Sequence, residues 1–110
     1  MSQFEEKVAL YKQTIEESGL ECDENLLIAI TRSLGPSIYN ADAEKVSASD
    51  PEEIARVKNN FLIGKLGLGE DDGLDEGITS ALNDIPPRRR YRAIVYYRLV
   101  TLYNQEDKFL

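Results

Sequence analysis

YRAIVYYRLVTLY, running from Tyr91 to Tyr103, is the stretch on which the fold turns. Its β-branched and aromatic residues carry strand propensity. They do not alternate with polar residues at period two, however, as a half-buried strand requires. Tyr91, Ile94, Val95, Leu99 and Leu102 fall instead on one helical stripe, and Ala93, Tyr96, Tyr97, Val100 and Tyr103 on a second. The spacing predicts a helix from about Arg88 to Asn104. A helix that is apolar over most of its circumference is central to a fold, or it presents a face to a second copy. Both possibilities stand at this point.

Working outward, four more helices are marked by their start and stop chemistry. Ser2 with Glu5 forms a capping box ahead of a face made by Phe4, Val8, Tyr11 and Ile15. Gly19 and then Leu20 supply a left-handed stop with an apolar residue folding back. Asp23 caps a second helix presenting Leu26, Leu27, Ile30 and Leu34, closed by Gly35 and Pro36. Asp50, Pro51 and Glu53 open a third, with Ile54, Val57, Phe61, Leu62 and Leu66 inward and Gly67 with Leu68 as its stop. In GEDDGLDEG, Asp72 is the expected cap of a fourth helix, with Asp75 three residues later. Leu74, Ile78, Ala81, Leu82 and Ile85 are its apolar face, Gly77 weakens it, and Pro86 with Pro87 ends it. Phe109, in the tail, is placed to dock on the core.

Between the second and third helices lies LGPSIYNADAEKVSASDPEE, Leu34 to Glu53, with a polar loop of about 15 residues. Loops of that length in a small domain are usually functional or disordered. This one carries Ile38, Tyr39 and Val46, which are expected to pin it to the core, and Ala41 to Val46 have room for one helical turn. Asn40 and Ser49 or Asp50 are natural caps. Its polar groups have two readings, as caps for local backbone or as a recognition pocket, and Ser37, Tyr39 and Asp42 are the residues the first reading leaves over.

Composition bounds the function. The chain has 110 residues, enough for one domain spanning 1–110, with 42% apolar and 30% charged residues, an ordinary globular balance. It has no histidine and a single cysteine, Cys22. That removes His-based triads, His-ligated zinc or haem, an internal disulfide and any cysteine metal cluster. No cofactor or metal is expected, and no catalytic motif is present. An enzyme is not expected; were there one, Asp42 and Tyr39 would be its groups. No apolar run approaches the roughly 20 residues that span a bilayer, and the acidic N-terminus is unlike a secretory signal, so a cytoplasmic protein is expected.

Net charge is −7, but unevenly laid out: residues 69–87 carry −6 and residues 88–110 carry +4. The overall acidity argues against nonspecific nucleic-acid binding. PPRRRYR places Arg88, Arg89, Arg90 and Arg92 in what is expected to be the first turn of the last helix, where the dipole already puts positive charge. Either the acidic run at Glu70 to Glu76 or the end of the fourth helix compensates them, or they form an anion site. EDDGLDEG fails the spacing of a calcium loop, because Leu68 and Thr79 fall where carboxylates would be needed.

The segments GPSIYNADAEKVS-SD, NNFLIGKLGL and RRRYRAIVYYRLV resemble a family of short bacterial proteins catalogued as a domain of unknown function, family 2853. The resemblance covers nearly the whole chain. It implies a bacterial, single-domain, cytosolic protein and carries over no activity, ligand or catalytic residue.

The expected fold is therefore all-α, a compact single-domain bundle of about five helices with one long ordered loop. The leading functional expectation is a protein-protein interaction module, monomeric or homodimeric, acting through the loop (Ser37, Tyr39, Asp42) or the arginine face. The alternative is binding of an anion, a phosphate-bearing ligand or nucleic acid through Arg88, Arg89, Arg90 and Arg92.

Overall fold

The Tyr91–Tyr103 stretch is a helix, and its two apolar stripes are both covered. In the computed structural model, which describes residues 2–110, it forms α6 (Arg92–Leu102). Ala93, Ile94, Val95, Tyr96, Tyr97, Leu99 and Val100 are all buried. Four other helices share the work of covering it: α1 (Gln3–Glu17), α2 (Glu24–Leu34), α3 (Ala41–Glu44) and α5 (Leu74–Asn83). The apolar circumference is thus spent on the chain's own core. The radius of gyration of 12.9 Å matches the ~13 Å expected of one domain of this length.

The remaining long element starts as α4 (Pro51–Arg56) and continues without a break as a π-helix over Val57–Ile63. Val57, Phe61, Leu62 and Leu66 face the core. Short 3₁₀ turns occupy Gly35–Tyr39, Glu70–Asp72, Pro87–Arg89 and Glu106–Lys108. The described residues contain no strand, only one antiparallel bridge between Lys45 and Tyr91. None of the helices is long and apolar enough to cross a membrane.

Most start and stop signals act as their chemistry requires. Ser2 and Glu5 form a reciprocal capping box. Asp23, Asn40 and Asp50 accept hydrogen bonds from the backbone N–H groups of Leu26, Asp42 and Glu52. The Leu20 and Leu68 N–H groups close the ends of α1 and the π-helix on the carbonyls of Ile15 and Leu62, at 3.2 and 3.0 Å. Phe109 docks half-buried in line with Phe61.

The start of α5 differs from the expectation. Asp72 does not cap it; its Oδ2 accepts from the Gly69 N–H at 2.7 Å and closes the preceding 3₁₀ turn. Gly73, left-handed at φ 67°, holds the cap position instead. Gly77 is also more than a weak point. The Tyr103 hydroxyl crosses its bare Cα to donate to the Gly73 carbonyl at 2.9 Å. A Cβ at position 77 would stand 2.0 Å from that hydroxyl and 2.7 Å from the ring carbon bearing it. Both ring and hydrogen bond would have to move.

Two opposed effects can therefore be separated. Gly77→Ala should destabilise the protein in urea titrations by about 1–3 kcal/mol through overpacking. In a Tyr103→Ala background the same change should become stabilising by up to ~1 kcal/mol, the ordinary helical preference for alanine.

Candidate functional site

The Leu34 to Glu53 connection is ordered because two buried carboxylates fasten it from below. Glu44, at the end of α3 and 9% exposed, accepts from Lys7 Nζ at 2.8 Å and from the Tyr11 hydroxyl at 2.5 Å, both on α1. Burying a carboxylate is expensive unless it is paired and hydrogen-bonded, and Glu44 is both. Glu53, 6% exposed, pairs with Arg92 of α6 and with Arg56 at 2.9 Å. Arg92 also donates from Nε to the Ala43 carbonyl at 2.9 Å and from Nη1 to the Tyr96 hydroxyl at 3.3 Å. One guanidinium thereby joins α3, α4 and α6.

Between these points the chain adds its own ties. The Val46 N–H donates to the Arg90 carbonyl at 2.9 Å, beside the Lys45 and Tyr91 bridge. Ile38 and Val46 are buried, as expected of anchors. Tyr39 is not an anchor: it is 46% exposed, and among the described residues only Leu110 is another large apolar side chain so exposed. Ser37 donates to the Leu34 carbonyl at 2.9 Å and so serves the backbone. Asp42 is exposed, and its N–H is capped by Asn40. Of the three loop residues singled out by sequence, Tyr39 alone presents a large surface to solvent.

The four arginines separate into two pairs. They are not the first turn of one helix, because Pro87–Arg89 forms its own 3₁₀ turn and Tyr91 is extended as the N-cap of α6. Lys45 across the bridge holds Tyr91 in that extended form. Arg92 is spent on Glu53, and Arg90 donates from Nε to the Leu82 carbonyl at 3.1 Å. The side chains of Arg88 and Arg89 are exposed and enter no ion pair or hydrogen bond among the described residues. The acidic run does not compensate them: Asp75 pairs with Lys58 at 3.6 Å, and Asp84 with Arg98 at 2.7 Å. The two free arginines border a cavity of about 410 Å³ between Pro86 and Pro87 on one side and Thr14, Glu17 and Ser18 of α1 on the other.

The bridge brings the loop and the arginine segment together. Tyr11 lies under this joint, its ring 5.2 Å from that of Tyr91. Burial, the Glu44 carboxylate, and the nearby Tyr91 and Tyr39 hydroxyls together push the Tyr11 phenol far above its ordinary range. Lys45 rests its ammonium over the Tyr91 ring at 5.3 Å. The exposed outer groups of the two joined segments include Tyr39, Asp42, Lys45, Arg88 and Arg89. Neither the exposure of Tyr39 nor the division of the arginines was visible in sequence spacing, because both depend on which backbone carbonyls and acids the fold brings near. Cys22, by contrast, is half-buried, and burial raises its thiol pKa, which makes it a poor nucleophile.

Removing one partner of a buried ion pair leaves the other charged and unpaired. Arg92→Met should therefore lower stability by about 3–5 kcal/mol, whereas Arg88→Met with Arg89→Met should stay within ~0.5 kcal/mol of the parent, as read by urea denaturation. A second expectation concerns alkali. The folded state holds the Tyr11 proton more tightly than the unfolded chain, so stability is intact below about pH 10 and is lost as pH rises above it. Tyr97 and Tyr103 are raised in the same direction by burial. Melting temperature should fall through that range, and Tyr11→Phe should flatten the decline without abolishing it.

Residues 10–107 match the model of a family described as "Protein of unknown function (DUF2853)". No curated protein matches the chain. With the family model spanning nearly all of its length, loop and arginine segment included, the chain belongs to the DUF2853 family.

Proposed function

We propose that this protein is a small interaction module that binds another protein through the joint between the loop and the arginine turn, with Tyr39 as its central contact. The observation that carries this reading is the contrast around Tyr39. Its neighbours Ile38, Glu44 and Val46 are buried and tied down, while its own ring stands 46% exposed. Exposed apolar surface costs solubility and is otherwise scarce on this molecule. A tyrosine has only two side-chain torsions to freeze on binding, and aromatic residues and arginine are enriched at interface hot spots. Lys45, Arg88 and Arg89 are exposed cations on the two segments that the bridge joins, on a chain whose net charge is −7.

A second reading, anion binding, is favoured by one feature only: Arg88 and Arg89 have no carboxylate partner. Arg90 and Arg92 no longer belong to it, since both are engaged within the fold.

A photo-crosslinking residue placed at position 39 should give a discrete adduct with another protein that is absent when the same residue replaces Ser80 on the outer face of α5. Tyr39→Ala should keep the melting point and lose binding of the partner so identified. Indistinguishable adducts from the two positions would sink the proposal. The anion reading makes a different demand: about 10 mM phosphate should raise the melting temperature of the parent and not that of the Arg88→Met, Arg89→Met variant.

A further inference from the structure

Where the π-helix over Val57–Ile63 returns to ordinary helical register, one backbone carbonyl is skipped. The Gly64 N–H reaches five residues back to the Asn59 carbonyl at 3.0 Å, and the Lys65 N–H reaches the Phe61 carbonyl at 3.0 Å. These are the two donors that an α- or π-register would offer to Asn60, and neither points at it. The Asn60 carbonyl is left to find a donor outside the helix. Gly64 makes this widening possible, because a Cβ there would lie 2.8 Å from the Asn60 oxygen. Single π-turns inserted in α-helices occur frequently at functional sites.

Asn60 also lines a cavity of about 190 Å³, together with Ser33 and Leu34 at the end of α2, Phe61, Lys65, and Tyr96 of α6. Its aromatic wall is a stacked pair, Phe61 on Tyr96, with ring centroids 3.8 Å apart. Lys65 is exposed and enters no ion pair among the described residues; its ammonium lies 5.5 Å from the centre of the Phe109 ring. The Ser33 hydroxyl gives its proton to the Ile30 carbonyl at 2.6 Å, so it has only lone pairs to offer a ligand. The lining therefore combines one unpaired cation, oxygen acceptors on Ser33 and Asn60, the donors of the Asn60 carboxamide and the Tyr96 hydroxyl, an apolar wall and no carboxylate. The volume lies below the ~300–1,000 Å³ of pockets that hold drug-sized ligands or nucleotides.

We infer that this cavity is a binding site for a small carboxylic acid that also carries an N–H donor, of the size of a free α-amino acid. Its carboxylate pairs with Lys65. Its ammonium donates to the Asn60 carbonyl and the Ser33 hydroxyl oxygen. A short apolar side chain rests against Phe61 and Tyr96. The site is separate from the Tyr39 joint and does not depend on it.

Amide chemical shifts of the ¹⁵N-labelled full chain, titrated with L-alanine, test the assignment. Controls are propionate, which lacks the donor, and L-alaninamide, which lacks the carboxylate. L-Alanine should give saturable shifts confined to Leu34, the Asn60 to Lys65 segment and Tyr96. Each control should bind at least about fivefold more weakly, a difference of ~1 kcal/mol. Lys65→Met changes an exposed side chain, so it leaves the fold intact, and it should abolish the response. Absence of a saturable local shift, an equal response to either control, or a response retained in Lys65→Met would each overturn the inference.

Discussion

Glu53 and Arg92 form the pair on which the rest of the arrangement depends. Glu53 lies in the first turn of α4, where a negative charge is welcome to the helix dipole. It is nevertheless almost wholly buried, and a buried carboxylate is tolerated only when opposite charge and hydrogen-bond donors surround it. Arg92 meets that demand and uses its remaining donors on Ala43 and Tyr96. Such a pair adds little net stability over well-packed apolar residues. What it adds here is position: α4 and the loop have one way to sit against the last helix.

Local chemistry proved legible where it involved neighbours in sequence. Ser2, Asp23, Asn40, Asp50 and the glycine stops are each satisfied within a few residues, so their partners can be named without the fold. The burial of α6 was legible as well, because its apolar circumference needed covering and the apolar faces of the other helices were enough to cover it. Sequence spacing went astray where a residue's partner lies far along the chain. Gly77 reads as a flaw in a helix until Tyr103, 26 positions later, is seen lying across it. Four arginines in five positions read as one basic face until the Leu82 carbonyl, Ala43 and Glu53 are found to have claimed two of them. Tyr39 next to Ile38 reads as a pair of anchors, and only the 3₁₀ turn at Gly35–Tyr39 turns one inward and the other out. The π-helix had no sequence signal beyond Gly64, which directly follows it.

The acidic surface has a plainer role. Glu70, Asp71, Asp72 and Glu76 are exposed around the start of α5, where the helix dipole and the preceding turn accommodate them. They account for much of the net negative charge, which favours solubility. Lys45, Arg88 and Arg89 lie instead on the loop and the arginine turn, so the acidic run and these free cations occupy different segments of the surface.

The ties that fasten the loop share one property. Tyr11 to Glu44 spans 33 residues, Arg92 to Glu53 spans 39, and Arg92 to Ala43 spans 49. Closing loops of that length costs chain entropy before any contact repays it, whereas the helices themselves rest on local bonds. Those ties end on α1 and α6, so the loop is seated only against helices that are themselves in place. The surface proposed for recognition is fastened to the core through these few side chains, so a partner that grips Tyr39 would bear on how Glu44 and Arg92 hold the loop to α1 and α6.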